Sequence, residues 1–148
     1  PQLFLGLTFN WGIIMSWTSV TNSIGIEPII LYIAAIFWTL GYDTIYGLQD
    51  IHDDEIIGVK STSIKFKNNV KVFVGACYSI CILFILIMFF MIDLNKYLLL
   101  LSMPFITTLI YQLIIFKSNI PKTCMHAFKT NNATGFFIFV FIFCFNTL

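Results

Sequence analysis

Five of the chain's seven acidic residues fall within one short stretch: Asp43, Asp50, Asp53, Asp54 and Glu55. They follow directly on an apolar run that starts near Pro28. Carboxylates are among the costliest groups to place at a membrane helix, so acids gathered there point to function. Continued as one helix at about 100° per residue, the stretch sets Asp50 about 20° to one side of Asp43 and Asp54 about 20° to the other. Tyr46 lies about 60° away on the same side, while His52 and Asp53 fall off the stripe. Asp50 and Asp54 are i,i+4 neighbours, and like charges so close repel unless a cation joins them. Oxygen-only ligands favour Mg²⁺, which usually takes one or two carboxylates and keeps water or phosphate as its other ligands. Asp50 and Asp54 are therefore the candidate metal ligands and catalytic residues, and a metal held by them would present a site for a diphosphate.

The second half of the stretch supplies the opposite sign. Gly58 allows a turn, and Lys60, Ser61 and Thr62 follow at once. Lys60 is a point charge suited to phosphate oxygens. A charged segment between two membrane helices is most often a solvated loop. Asp43 favours a site instead, because it lies deep enough in the apolar run to be costly without a partner.

The stretch resembles the second aspartate-rich motif of the UbiA superfamily of intramembrane aromatic prenyltransferases, which reads roughly D-x-x-Y-A-x-x-D-x-x-x-D. Asp43, Tyr46, Asp50 and Asp54 stand in register with it, and Gly47 departs from the alanine usual there. The tail Gly58-Val59-Lys60-Ser61-Thr62 is similar to the 4-hydroxybenzoate polyprenyltransferase branch in particular. The resemblance implies an all-α membrane fold, the C-terminal part of a nine-helix bundle. It implies Mg²⁺-dependent transfer of a polyprenyl group from polyprenyl diphosphate to the ring of 4-hydroxybenzoate, a step of ubiquinone synthesis. Lys60 would then touch the diphosphate, with Asp43 and Tyr46 lining the substrate pocket. Nothing in the chain matches the family's first aspartate-rich motif, so a missing N-terminal half is expected as partner, and the isolated chain is expected to be inactive. A start at Pro1 rather than Met fits a fragment or a split gene product.

Composition sets the class independently. Hydrophobic residues make up 59% and charged residues 10% of the chain, against about 25% charged in a soluble domain. Such a chain cannot cover itself with polar surface, so its partner is the lipid bilayer. A net charge of +1 carries no signal for nucleic acid. The four cysteines, Cys77, Cys81, Cys124 and Cys144, form no C-x-x-C pair. Cys77 and Cys81 share a helix face in an apolar run, where packing is the usual role. Cys124 and His126 lie close together, but two ligands do not make a metal site.

A membrane helix needs about 20 apolar residues. About five candidates follow: 3–20, interrupted by Asn10, Trp11 and Gly12; 28–50, which delivers the aspartates; 70–92; 97–116, which Pro104 kinks; and 133–148. Polar loops join them, a second long one at 117–132, and Asp93 sits in a tight turn at 93–96. Seven of the eight lysines fall in the loops after the second and fourth helices. The positive-inside rule puts both loops on the cytoplasmic side, or the matrix side of a mitochondrial inner membrane. Three other readings stay open. One is a sibling chemistry of the menaquinone, tocopherol, chlorophyll or haem O type. Another is an ion-binding transporter segment, which carboxylates crowded at one helix end fit poorly. The last is an inactive remnant of an enzyme.

Overall fold

The computed structural model describes residues 1–92 and 96–145. Among them every regular element is helical, the form in which a single segment satisfies its own backbone within lipid. Three stretches are long and apolar enough to cross a bilayer: Gln2–Thr21, Ile26–Gly47 and Lys67–Met91. A fourth, Ser102–Ile115, is shorter.

The first stretch is two helices, α1 (Gln2–Phe9) and α2 (Gly12–Thr21), interrupted at Asn10 and Trp11. Asn10 secures the break. Its Nδ2 donates to Gly6 O at 2.8 Å, to Thr39 Oγ1 at 2.8 Å and to Ala35 O at 3.3 Å. Thr39 and Ala35 belong to α3 (Ile26–Gly47), so the polar residue that interrupts one helix joins it to the next, as polar groups do between membrane helices.

Helix α3 is the centre of the fold and packs on α1, α2, α6 (Val70–Ile92) and α8 (Pro121–Lys129). Pro28 stands in its first turn, where a missing N–H costs nothing. Beyond it come two short helices, α4 (Ile51–Ile57) and α5 (Thr62–Lys65), and a 3₁₀ turn at Lys67–Asn69. Long helices α6 (Val70–Ile92) and α7 (Lys96–Ile115) follow, then α8 (Pro121–Lys129) and α9 (Asn131–Phe145). The expected polar loop at 117–132 therefore contains a helix. Pro121 opens it, and Cys124 and Ala127 give it a buried face at i,i+3 spacing. Of the expected turn at 93–96, residues 93–95 lie outside the described residues.

The tightest approach is between α3 and α6. A Cβ placed on Gly41 would meet the Tyr78 ring, with Cδ1 at 2.8 Å, so only glycine lets that ring lie against the α3 backbone. Tyr78 is fully buried and its hydroxyl donates to Gln112 Oε1 on α7. Gln112 Nε2 in turn donates to Asn131 Oδ1 at 3.0 Å and to Thr134 Oγ1 at 3.1 Å on α9. Trp38 Nε1 returns the network to α3 through Asn131 Oδ1 at 3.2 Å. Four helices thus share one polar network inside an apolar core. In such a core, leaving any member unpaired costs more than the bond itself contributes.

Candidate functional site

The helix that carries Asp43 ends at Gly47, so the stripe expected from one continuous helix through Asp54 does not form. The last turn tightens: Leu48 N–H donates to Ile45 O and Gln49 N–H to Tyr46 O, both i to i−3. Asp50 then leaves helical geometry, with φ −109° and ψ 16°, and becomes the N-cap of α4. The regular 100° advance per residue is lost at this turn, and with it the alignment of Asp43 with Asp50 and Asp54.

What ends α3 is contact with residues further along the chain. The Ser63 hydroxyl donates to Thr44 O at 2.9 Å, capping one of the carbonyls that a helix end leaves free. Thr44 Oγ1 and Thr62 Oγ1 share a bond of 2.6 Å. Thr62 N–H donates to Gln2 Oε1 at 3.0 Å. Ser61 Oγ accepts from Ile64 N–H and caps α5. The hydroxyls of Thr62 and Ser63 therefore clasp this segment onto α3, and the Thr62 N–H ties it to α1. Of the Lys60-Ser61-Thr62 group, Lys60 alone is exposed. Gly47 faces the clasp, since an added Cβ would stand 2.5 Å from Ser63 Oγ.

Asp50 and Asp54 remain together across the first turn of α4, where Asp54 N–H donates to Asp50 O at 2.9 Å. Asp50 is exposed and Asp54 half-buried, and the Asp50 side chain makes no capping bond. Among the described residues the ion pair recorded is Lys67 with Glu55, at 2.7 Å, so neither aspartate is neutralised by a lysine. Gly58, at φ 78°, closes α4 in the left-handed conformation that favours glycine. Val59 N–H there donates to Asp54 O at 2.9 Å. No group of three ligating side chains occurs among the described residues. Two unpaired carboxylates one turn apart fit a hard cation that takes one or two protein oxygens and completes its shell with water or phosphate.

Asp43 is half-buried, and Tyr46 is turned to α8, its ring 4.7 Å from that of Phe128. Tyr42 lies between Trp38 at 5.8 Å and Phe128 at 5.9 Å. The rings of Trp38, Tyr42 and Phe128 border a cavity of about 290 Å³ whose wall also includes Thr39, Lys129 and Asn131, while Asp43 and Tyr46 are not among its lining residues. Asn10 and Trp38 also line a second, apolar cavity of about 180 Å³ that reaches Cys81, Ile85 and Ile138. Sequence reasoning missed Gln112 and Asn131. For Gln112 the available signal was a lone amide within an apolar run, since an amide in such a run needs a partner; Asn131, next to Asn132 in a polar stretch, gave no such signal. Cys124 is buried, its thiol donating to Lys117 O at 3.4 Å, while His126 is exposed with its ring 6.5 Å from Tyr111. Burial pushes the Cys124 thiol above its ordinary range, against a smaller lowering by a hydrogen bond from Thr123.

Known proteins similar to this chain agree with the family resemblance. It is 35% identical over 140 residues to a 4-hydroxybenzoate octaprenyltransferase of Francisella tularensis subsp. mediasiatica, covering 95% of this chain and 49% of the relative. It is 36% identical over 150 residues to the mitochondrial 4-hydroxybenzoate polyprenyltransferase of Bos taurus, covering 95% of this chain and 38% of the relative. The chain thus spans about half the length of the curated relatives it matches, or less. No solved structure matches it. The UbiA prenyltransferase family matches over residues 1–144, and the chain, an all-helical integral membrane protein, belongs to that family.

Proposed function

We propose that this chain supplies one half of an intramembrane prenyltransferase site that joins a polyprenyl group to the ring of 4-hydroxybenzoate. The observation that carries the reading is the pair Asp50 and Asp54. They occupy one turn without a lysine partner, in a chain similar over 95% of its length to enzymes of that name. These two carboxylates would hold Mg²⁺, with further ligands from a first aspartate-rich segment of the kind the resemblance implies. Bound there, the metal would supply Lewis-acid neutralisation of the departing diphosphate. Lys60, exposed beside the clasp, binds diphosphate oxygens as a point charge. The hydroxyls of Thr62 and Ser63 hold the Lys60 segment against α3.

In the reaction the allylic C–O bond breaks and its electron pair leaves with the diphosphate. The ring carbon ortho to the hydroxyl forms the new C–C bond and then loses its proton to the released diphosphate, which restores the aromatic ring. The apolar cavity beside Asn10 and Trp38 has room for part of a prenyl chain and keeps water from the allylic cation. By the positive-inside rule, the lysine-rich segments after α3 and after α7 favour the cytoplasmic or matrix side for the aspartates. There a soluble aromatic acid and Mg²⁺ are available.

The test is prenyl transfer in membranes with Mg²⁺, polyprenyl diphosphate and a panel of acceptors. The chain is assayed alone and together with the N-terminal half of a related enzyme. Transfer to 4-hydroxybenzoate by the pair and not by the chain alone is the expected result. Transfer only to an acceptor of a sibling pathway, or none by an inserted and associated pair, would overturn it.

A further inference from the structure

We infer that α8 and the adjoining outer face of α7 form a binding site for an anionic phospholipid. Its phosphate meets Lys117, Lys122 and His126, and its acyl chains lie along Met103, Ile110 and Ile114. The inference stands apart from the functional reading above. At about 100° per residue, positions 122, 126 and 129 of α8 fall within about 60° of one another. Lys122, His126 and Lys129 are all exposed there, and Cys124 and Ala127 on the opposite side are buried. A basic stripe above an apolar base is the pattern of a helix lying in a membrane interface. The Phe128 ring, 4.7 Å from that of Tyr46, fixes α8 at the aspartate end of α3. No acidic residue follows Asp93 in the sequence. The ion pair recorded among the described residues is Lys67 with Glu55, so Lys117 and Lys122 keep their charge for an outside partner.

The outer face of α7 supplies the apolar half. Its exposed residues Met103, Thr107, Ile110, Tyr111 and Ile114 recur at helical spacing and share one side. The Thr107 hydroxyl is spent on Met103 O at 2.7 Å, so the face offers carbon to acyl chains. His126 joins the two halves. Its ring is 6.5 Å from that of Tyr111, which sets the basic stripe of α8 at the end of this apolar face. The corner between the helices is held in place. Lys117 N–H donates to Thr123 Oγ1 at 2.9 Å, and the Cys124 thiol donates to Lys117 O at 3.4 Å. From α6, Lys71 Nζ reaches to 5.3 Å from the Phe116 ring, next in sequence to Lys117, and adds to the positive potential there. A ligand that answers both halves has a negative head on apolar chains. A free phosphate has no chains, and a zwitterionic lipid has no net charge. Lysines beside membrane helices attract anionic lipid for this reason.

The experiment uses the full 148-residue chain in mild detergent. It is titrated with dioleoylphosphatidylglycerol or dioleoylphosphatidylcholine, and bound lipid is counted by native mass spectrometry. The first glycerol lipid is expected to bind at least about tenfold more tightly than the choline lipid. Lys122→Gln is expected to weaken the glycerol lipid by about fivefold, and Lys117→Gln with Lys122→Gln by about twenty-fivefold. Both positions are exposed, and helical circular dichroism and binding of the choline lipid should stay unchanged. Lys65→Gln removes the same charge from α5 and should leave the preference intact. A phosphatidylglycerol with a diazirine in its acyl chain should label peptides spanning residues 103–114. Equal affinity for the two lipids overturns the inference. So does an equal loss in Lys65→Gln and Lys122→Gln, which would mean attraction by net charge alone, or labelling confined to other helices. Displacement of the lipid by magnesium pyrophosphate would assign the stripe to a soluble phosphate instead. Loss of the preference when the N-terminal half of a related enzyme associates would assign it to a protein partner. Either result also overturns the inference.

Discussion

Replacing Gly47 with alanine should break the clasp that holds the Lys60 segment on α3, and its cost can be worked from three contacts. The new Cβ would lie 2.5 Å from Ser63 Oγ and 3.3 Å from Gln2 Nε2. Serine has one side-chain torsion that matters, so its hydroxyl escapes only by rotating off Thr44 O, now 2.9 Å away. That forfeits a hydrogen bond worth about 0.5–1.5 kcal/mol, with up to about 3 kcal/mol if the carbonyl stays dry. Alanine returns at most about 1 kcal/mol of helix propensity, and less at a terminal residue such as 47. The net expectation is a loss of about 1 kcal/mol. A double-mutant cycle isolates the cause. With Ser63→Ala in the background there is no hydroxyl to displace, and Gly47→Ala should become neutral or slightly stabilising, giving a coupling of about 1–2 kcal/mol. Reversible unfolding in mixed micelles, followed by helical circular dichroism, reads all four corners. An equal cost for Gly47→Ala in both backgrounds would refute the clasp as the reason for glycine.

Two further outcomes follow from the packing. Gly41→Ala should cost about 1–3 kcal/mol, because the added carbon meets the Tyr78 ring and the core must shift; Tyr78→Phe should cost about as much by leaving Gln112 Oε1 without its donor. The same unfolding assay checks both, and a neutral result for either would contradict the network. Burial raises the Cys124 thiol above its ordinary range, so the thiolate is scarce near neutral pH and iodoacetamide should label this residue more slowly than an exposed cysteine. Because the unfolded chain loses that proton first, this thiol's contribution to stability is fully present below its ordinary range and is lost as pH rises from there through the raised folded value. Labelling followed by peptide mapping checks the rate, and fast labelling near neutral pH would contradict it.

The class of fold was legible because a chain with 10% charged residues belongs in lipid, and apolar runs of about 20 residues cross lipid as helices. The interruption at Asn10 was legible as a polar residue in an apolar run, and so was the start near Pro28. The end of α3 was not. Angular arithmetic along one helix assumes that nothing interrupts it, and the cap that ends this helix comes from Ser63, nineteen positions after Thr44. The pairing of Asp50 with Asp54 outlived that error because four-residue spacing also places two residues on one turn of the short α4. Lys-Ser-Thr read as a phosphate cradle because hydroxyls bind phosphate, yet Thr62 and Ser63 spend theirs on Thr44. Helix α8 was hidden because Pro121, Lys122 and Lys129 make its composition that of a loop, while its buried face rests on the small residues Cys124 and Ala127. The Tyr78–Gln112–Asn131–Trp38 network joins four helices, and long-range pairing of this kind leaves no local spacing to read.

The central claim is that Asp50 and Asp54 form half of a metal–diphosphate site. It is tested most directly by prenyl transfer to 4-hydroxybenzoate in the completed pair, comparing the natural chain with Asp50→Asn and Asp54→Asn. Each variant keeps side-chain size and removes one anionic ligand. Activity is expected to fall by at least about a hundredfold in each, with insertion and association unchanged. Near-normal transfer by either variant would contradict the account.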